Sequence, residues 1–451
     1  MRAWQPARST VTSQTAPDLP APAPIVAEVR GTHAGFLVLI GVGSLNLGNA
    51  VFHLLSARLL GPGQYSDVVS LVAAQGLFTL PFGGVQYAIA RSVAEDAGRG
   101  DADAVAAFVR RSVNATFVGA AMIAVVATAL SPLIQHALGV GKLAAVVLTT
   151  VYIFPALLLP TFNGVAQGFQ RFGLISASLT GSVVARIAFI LALIPLGLGA
   201  GGVMAATAAA ACVAIVVPLP LCWGWYRRGK TAARAISRGA VVRSVAPVIA
   251  GVLAITSLTT VDLIVAKVAL SPHVAGVYGA ASFVGRLLLY LPMTIATVLL
   301  PKITSRVAIA QDTAEIFHAS LAITALFSLA GTAVLVAVPR LIVHLAFGSA
   351  YDQAVPLVGV FGIAMTLYAI LNVQLVYHIG HGREEMAWLL LVAAALQIGV
   401  YALVHGSTYQ LVFVNLGSGA VLVAVHELVY ERTLPSAARW LVRRFRRAWA
   451  R

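Results

Sequence analysis

Twelve apolar stretches, each of about twenty residues or more, follow one another along this chain of 451 residues. A helix needs that length to cross the ~30 Å hydrocarbon core of a bilayer. No water reaches backbone N–H and C=O groups there, so a spanning segment must be a helix or part of a closed barrel. The runs are continuous rather than alternating, which selects helices. Spans are expected at 34–57, 66–90, 112–137, 143–166, 173–196, 201–225, 244–268, 273–299, 315–338, 354–378, 385–405 and 408–430. Composition agrees: 59% of residues are hydrophobic and 10% charged, against about 25% charged in a soluble domain. Lipid must cover such a surface.

The formal charge of +15 has two readings. A nucleic-acid binder carries its basic patch on a soluble domain. No segment between these spans is long enough for one, so nucleic acid is not an expected partner. With the N-terminus in the cytoplasm, 24 of the 30 Lys and Arg residues fall on the cytoplasmic side. Arg58, Lys142, Lys267 and Arg340 fall outside, and Arg186 and Arg286 lie within spans. This positive-inside bias predicts a multi-pass protein of the cytoplasmic membrane with both termini cytoplasmic.

Residues 1–33 are rich in Pro, Ala, Ser and Thr and read as a disordered cytoplasmic tail. Residues 431–451 read as a basic amphipathic helix. Leu441, Phe445 and Ala448 share one face, Trp440 and Trp449 flank it, and arginines fill the rest. Such a helix lies on anionic membrane lipid. Cys212 and Cys222 would stand about 15 Å apart on a helix, too far for a disulfide.

The cytoplasmic linker 227–243 divides the spans into a lobe at 34–226 and a lobe at 244–430, six spans each. Ala57-Arg58, Pro62 and Leu80-Pro81 recur as Ala266-Lys267, Pro272 and Leu291-Pro292, at offsets of 209, 210 and 211. An even number of spans gives both halves one orientation. The expected fold is therefore an all-α integral membrane protein with about twelve transmembrane helices. Its two six-helix lobes are related by a pseudo-two-fold along the membrane normal, with a cleft between them.

Three segments carry a family resemblance. Ala57-Arg58-Leu59-Leu60-Gly61-Pro62 follows the first span, and Gly164-Val165-Ala166-Gln167-Gly168-Phe169-Gln170-Arg171-Phe172 follows the fourth. Asp262-Leu263-Ile264-Val265-Ala266-Lys267 with Gly276-Val277-Tyr278 joins the seventh to the eighth. In this order they resemble motifs of the polysaccharide flippases. Those belong to the multidrug/oligosaccharidyl-lipid/polysaccharide exporter superfamily. The resemblance implies two six-helix lobes around a central cavity and alternating-access export of a polyprenyl-diphosphate-linked oligosaccharide for cell-surface polysaccharide. Related lipid II flippases carry two further spans, which makes lipid II the less favoured cargo.

An ionisable side chain inside a span costs several kcal/mol unless it faces a polar cavity or a partner. Arg286, halfway along the eighth span, is the first candidate for holding a diphosphate, because a guanidinium grips phosphate bidentately. Arg186, halfway along the fifth, and Arg58, at the outer end of the first, are the others; a packing role for Arg186 is the competing reading. Asp262, nearer the outer end of the seventh span, is expected to pair with Lys267 or Arg58 or to bind a coupling cation. Pro81, Pro247 and Pro292, with Pro155 and Pro160, free carbonyls and permit bends. The first three are the expected hinges of a rocking lobe. The run Gly197–Gly202 is expected to form a tight outer turn.

His378-Ile379-Gly380-His381 matches the HIGH signature of class I aminoacyl-tRNA synthetases, but no nucleotide-binding fold surrounds it. As metal ligands the two histidines lack a third partner nearby. No cofactor, metal or catalytic residue is expected, and no Walker motif is present. An embedded glycan polymerase would need a large outer loop, and the outer loops are short. The remaining alternatives are a drug/cation antiporter of the same superfamily and a membrane scaffold of a glycan assembly complex. Two mid-span arginines against one carboxylate argue for an anionic cargo. Glycosyltransferases or a polymerase of the same pathway are candidate partners.

Overall fold

The computed structural model describes residues 31–229, 238–308, 311–430 and 433–449. Every regular element among them is helical. Ten helical segments are long and apolar enough to cross a membrane, but two are too long for one crossing. Ile40–Gly98 has 59 residues and Phe172–Val216 has 45. At 1.5 Å per residue they would extend about 90 and 70 Å, against a ~30 Å core. Both reverse at glycine. Gly61 has φ 71 and ψ 171, immediately before Pro62; Gly197 and Gly199 have φ 76 and 55. A Cβ would strain these left-handed conformations. The chain therefore makes the expected twelve crossings, and the even number brings both ends of the bundle to one face, the terminal face; the opposite one is the far face.

Most spans begin where apolar periodicity places them. Leu143–Gly168, Ala314–Ala337, Val355–Gly380 and Glu385–Leu403 start within a residue of expectation. Span three does not. It runs Ala102–Ala129, and a separate helix Ser131–Leu138 follows. Local chemistry rather than hydropathy sets those ends. The Asp101 carboxylate accepts the Ala104 N–H at 2.9 Å and caps the start. Pro132 opens the second helix, and left-handed Gly139 closes it.

The expected tail lies outside the described residues up to position 30, and a helix is already under way at Gly31. Of the linker, 230–237 lie outside them; Arg227 and Arg228 end the helix Leu219–Arg228, and helix resumes at Arg238. After the last span, Thr433–Trp449 forms the expected terminal helix. Glu427 caps it, accepting the Leu434 N–H on both carboxylate oxygens at 3.2 and 3.1 Å. Ala437 is buried, and Arg444 reaches Glu315 of span nine at 3.4 Å.

The core shows how the lobes meet. One apolar cluster joins Phe52, Tyr65, Val69, Val146 and Met204 of the N-terminal lobe to Leu258, Tyr278, Phe283, Phe347 and Phe361 of the C-terminal lobe. A second cluster is built from the N-terminal lobe alone, around Ile89, Val93, Val109, Leu157 and Phe162. The members contributed by the N-terminal lobe to the shared core lie in the far half of its spans, and the separate cluster lies in the terminal half. The lobes thus share a core toward the far face. Spans two and eight approach so closely there that a Cβ at Gly276 would lie 1.9 Å from the Pro62 carbonyl oxygen.

Candidate functional site

Arg286 sits midway along the helix Pro272–Ala308. Its Nη2 donates to Asp262 Oδ1 at 2.9 Å, and the Tyr278 hydroxyl donates to Oδ2 at 2.9 Å. Asp262 is fully buried, whereas the Arg286 side chain keeps 17% of its surface open. Arg286 Nε has no hydrogen-bond partner among the described residues. Each Asp262 oxygen thus has a donor, while the guanidinium retains an Nε–H with no partner among the described residues.

Arg186 comes from the opposite lobe. Its Nη2 donates to Asn49 Oδ1 of span one, and its guanidinium lies 4.5 Å from the centre of the Phe52 ring. Its Nε is also buried without a hydrogen-bond partner among the described residues. His53, next along span one, lies within electrostatic reach of both arginines, as does Tyr290 of span eight. The His53 ring meets Phe283 at 4.3 Å between centroids, and its Nδ1 is 3.0 Å from the Tyr65 hydroxyl. Arg186 packs on Phe52, and Phe283, three residues before Arg286, packs on His53, so the two arginines, one from each lobe, approach the same stretch of span one.

Arg58 is elsewhere. Five residues beyond His53, it lies about 7.5 Å further along the helix. It donates to the carbonyls of Ala346, at 2.9 Å, and Leu345, bridging the lobes near the far face. The Tyr351 hydroxyl reinforces this bridge by donating to the Ala57 carbonyl at 2.9 Å.

The expected pairing of Asp262 is corrected. Its cationic partner is Arg286, one helix away, and neither Lys267 nor Arg58. Lys267 instead crosses to the other lobe, 2.6 Å from Asp67 Oδ1 and 3.0 Å from Ser66 Oγ. Sequence reasoning missed Asp67, which stands near the start of span two, where an acid resembles a loop residue. It also missed His53, an ionisable group inside an apolar run.

Of the expected hinges, Pro81 falls in a 3-10 turn, Leu80–Phe82, that interrupts span two. Pro247 and Pro292 lie inside continuous helices. The HIGH histidines do not converge on a common ligand. His378 faces His426 across 3.0 Å, and His381 faces Thr313 at 3.1 Å. Among the described residues no cluster of three His, Cys, Asp or Glu could hold a metal. A groove of about 540 Å³ lined by Ala121, Ala124, Phe154, Pro155 and Ala208 is almost wholly apolar and carries none of these groups.

The fold has counterparts among known proteins. A family model described as polysaccharide biosynthesis protein matches residues 33–307, more than half of the chain. No curated protein matches significantly. A eukaryotic MATE transporter superposes with a TM-score of 0.64 at 13% identity, covering 91% of this chain and 99% of its own. A transporter of the MOP superfamily from Pyrococcus furiosus, described as having a binding pocket of reversed polarity, gives 0.64 at 15% identity, covering 88% and 94%. A multidrug resistance MATE family transporter of that superfamily gives 0.66 at 14%, covering 91% and 95%. At these identities the likeness is one of fold.

Proposed function

The chain belongs to the polysaccharide biosynthesis protein family, and on that premise we propose that it is a flippase. Its cargo is a polyprenyl-diphosphate-linked oligosaccharide destined for cell-surface polysaccharide, carried across the cytoplasmic membrane by alternating access. The observation that carries this reading is the pair of mid-membrane guanidinium groups, one from each lobe, each with an Nε–H that has no partner among the described residues. A buried donor without an acceptor is costly, and diphosphate oxygens are strong acceptors for a guanidinium fork. Both lobes grip one headgroup, so lobe motion moves the headgroup while the prenyl chain stays in lipid.

Pro81, Pro247 and Pro292 are the bends that accommodate this motion, and Arg58 and Lys267 hold the far face closed. With the termini in the cytoplasm, the far face is the outer one, and the headgroup enters from the terminal side. The terminal helix rests on anionic lipid, near the glycosyltransferases or polymerase that make and use the cargo. A drug/cation antiporter would need embedded carboxylates free to exchange cations, and Asp262 is already engaged by Arg286.

The test is a lipid extract from depleted cells, read by mass spectrometry. Polyprenyl-diphosphate glycans accumulate and surface polymer is lost; Arg286→Ala, present in the membrane, fails to reverse this. An unchanged lipid pool would defeat the proposal.

A further inference from the structure

The site has one feature that anion binding alone does not require. Arg286 is already half-neutralised by a carboxylate that cannot leave. Asp262 is fully buried, with Tyr278 holding one oxygen at 2.9 Å and Arg286 the other at 2.9 Å. The net charge of the two guanidinium groups and this carboxylate is +1. Removing Asp262 would leave an open +2 pair in the middle of a bilayer.

Anionic phospholipids such as phosphatidylglycerol present phosphodiester headgroups with a net charge of −1, in vast excess over a lipid-linked diphosphate. An unopposed pair of arginines would bind them, since a guanidinium does not distinguish phosphate sources. We propose that Asp262 is a specificity-determining residue, a built-in competing anion that excludes singly charged phospholipid headgroups from the cleft. This rests on the reading of the site as a diphosphate site. A monoanion that approaches the unpartnered Nε–H meets a guanidinium already neutralised by the fixed carboxylate, and gains little. A diphosphate brings more charge and spans to Arg186 in the other lobe, so it gains where the monoanion does not. Specificity arises here from what the site rejects.

The experiment uses the full-length protein in nanodiscs and a prenyl diphosphate carrying no sugar. Its affinity is measured in phosphatidylcholine discs and in discs with phosphatidylglycerol mixed in, and the ratio of the two is the readout. Wild type gives a ratio near unity. In Asp262→Asn, phosphatidylglycerol competes and the ratio worsens about tenfold or more, the scale of a close charge pair. Asp262→Glu keeps the charge and the wild-type ratio, which a purely structural role of this position would not produce.

A wild-type ratio that itself worsens tenfold overturns the inference without any variant, even if Asp262→Asn fails to fold. An unchanged ratio in folded Asp262→Asn also overturns it and leaves the flippase reading standing. Failure of wild type to bind the probe in phosphatidylcholine discs defeats the flippase reading and this inference together.

Discussion

Asp67–Lys267 and Asp262–Arg286 are both carboxylate–cation pairs withdrawn from water, yet they hold different things together. The first joins span two of one lobe to span seven of the other, with side chains 12% and 3% exposed. The second lies within the C-terminal lobe, between spans seven and eight. If the lobes rock, the first must break and reform in each cycle, whereas the second travels as part of a rigid body. A pair that must break needs a modest net energy. Buried ion pairs meet that need, because desolvation offsets most of their attraction. A pair that persists is free to serve the proposed cargo instead, and Arg286 keeps an Nε–H without a partner among the described residues.

The comparison is broken most forcefully at Lys267. Lys267→Ala leaves Asp67 buried without its cation, at a cost of about 3–5 kcal/mol. The far face then opens. In a background lacking Cys212 and Cys222, a cysteine replacing Ser56, which is 0% exposed, reacts with an impermeant maleimide much faster in the Lys267→Ala protein than in the protein that keeps Lys267. A cysteine that stays protected would show that the pair is no latch.

Reversing the pair sharpens the point. Asp67→Lys and Lys267→Asp each expose position 56, and the double variant protects it again. The expected coupling is about 0.5–3 kcal/mol, read from maleimide labelling rates. Additive effects would place the two residues outside one interaction.

The second pair responds differently. Tyr278→Phe removes one charge-assisted hydrogen bond to Asp262, worth about 1.5–3 kcal/mol. Thermal stability falls while labelling at position 56 stays at the wild-type level. Labelling that rose would mean the two pairs are coupled. The smallest effect belongs to Arg58→Gln. Arg58 is exposed and donates to backbone carbonyls, so its loss costs about 1 kcal/mol and raises labelling slightly. A loss of stability matching Lys267→Ala would revise that ranking.

Which of this was legible in the sequence follows from the range of each interaction. Span count and order came from apolar run length, a local property that the bilayer enforces at every position. Arg186 and Arg286 stood out because a charge inside an apolar run is conspicuous wherever its partner lies. The repeat put Arg58 and Lys267 at matching positions, and both reach across to the opposite lobe. Their partners were not legible. Asp67 lies 200 residues from Lys267, and Leu345 and Ala346 lie nearly 290 from Arg58; only docking of the lobes brings them together. Asp262 reads as embedded from the sequence, but its cation does not. Lys267 is on its own helix and looked near, while Arg286, 24 positions away, comes alongside only when spans seven and eight pack antiparallel. His53 left no signal because a histidine in an apolar run resembles any packed aromatic.

The central claim is that arginines from opposite lobes hold one diphosphate. It is tested most directly by the affinity of a sugar-free prenyl diphosphate for wild type, Arg186→Ala, Arg286→Ala and the double variant. Each single substitution is expected to lose about 2–5 kcal/mol of binding, and the double less than their sum, since both contact one group. Single variants that bind as tightly as wild type would contradict the account.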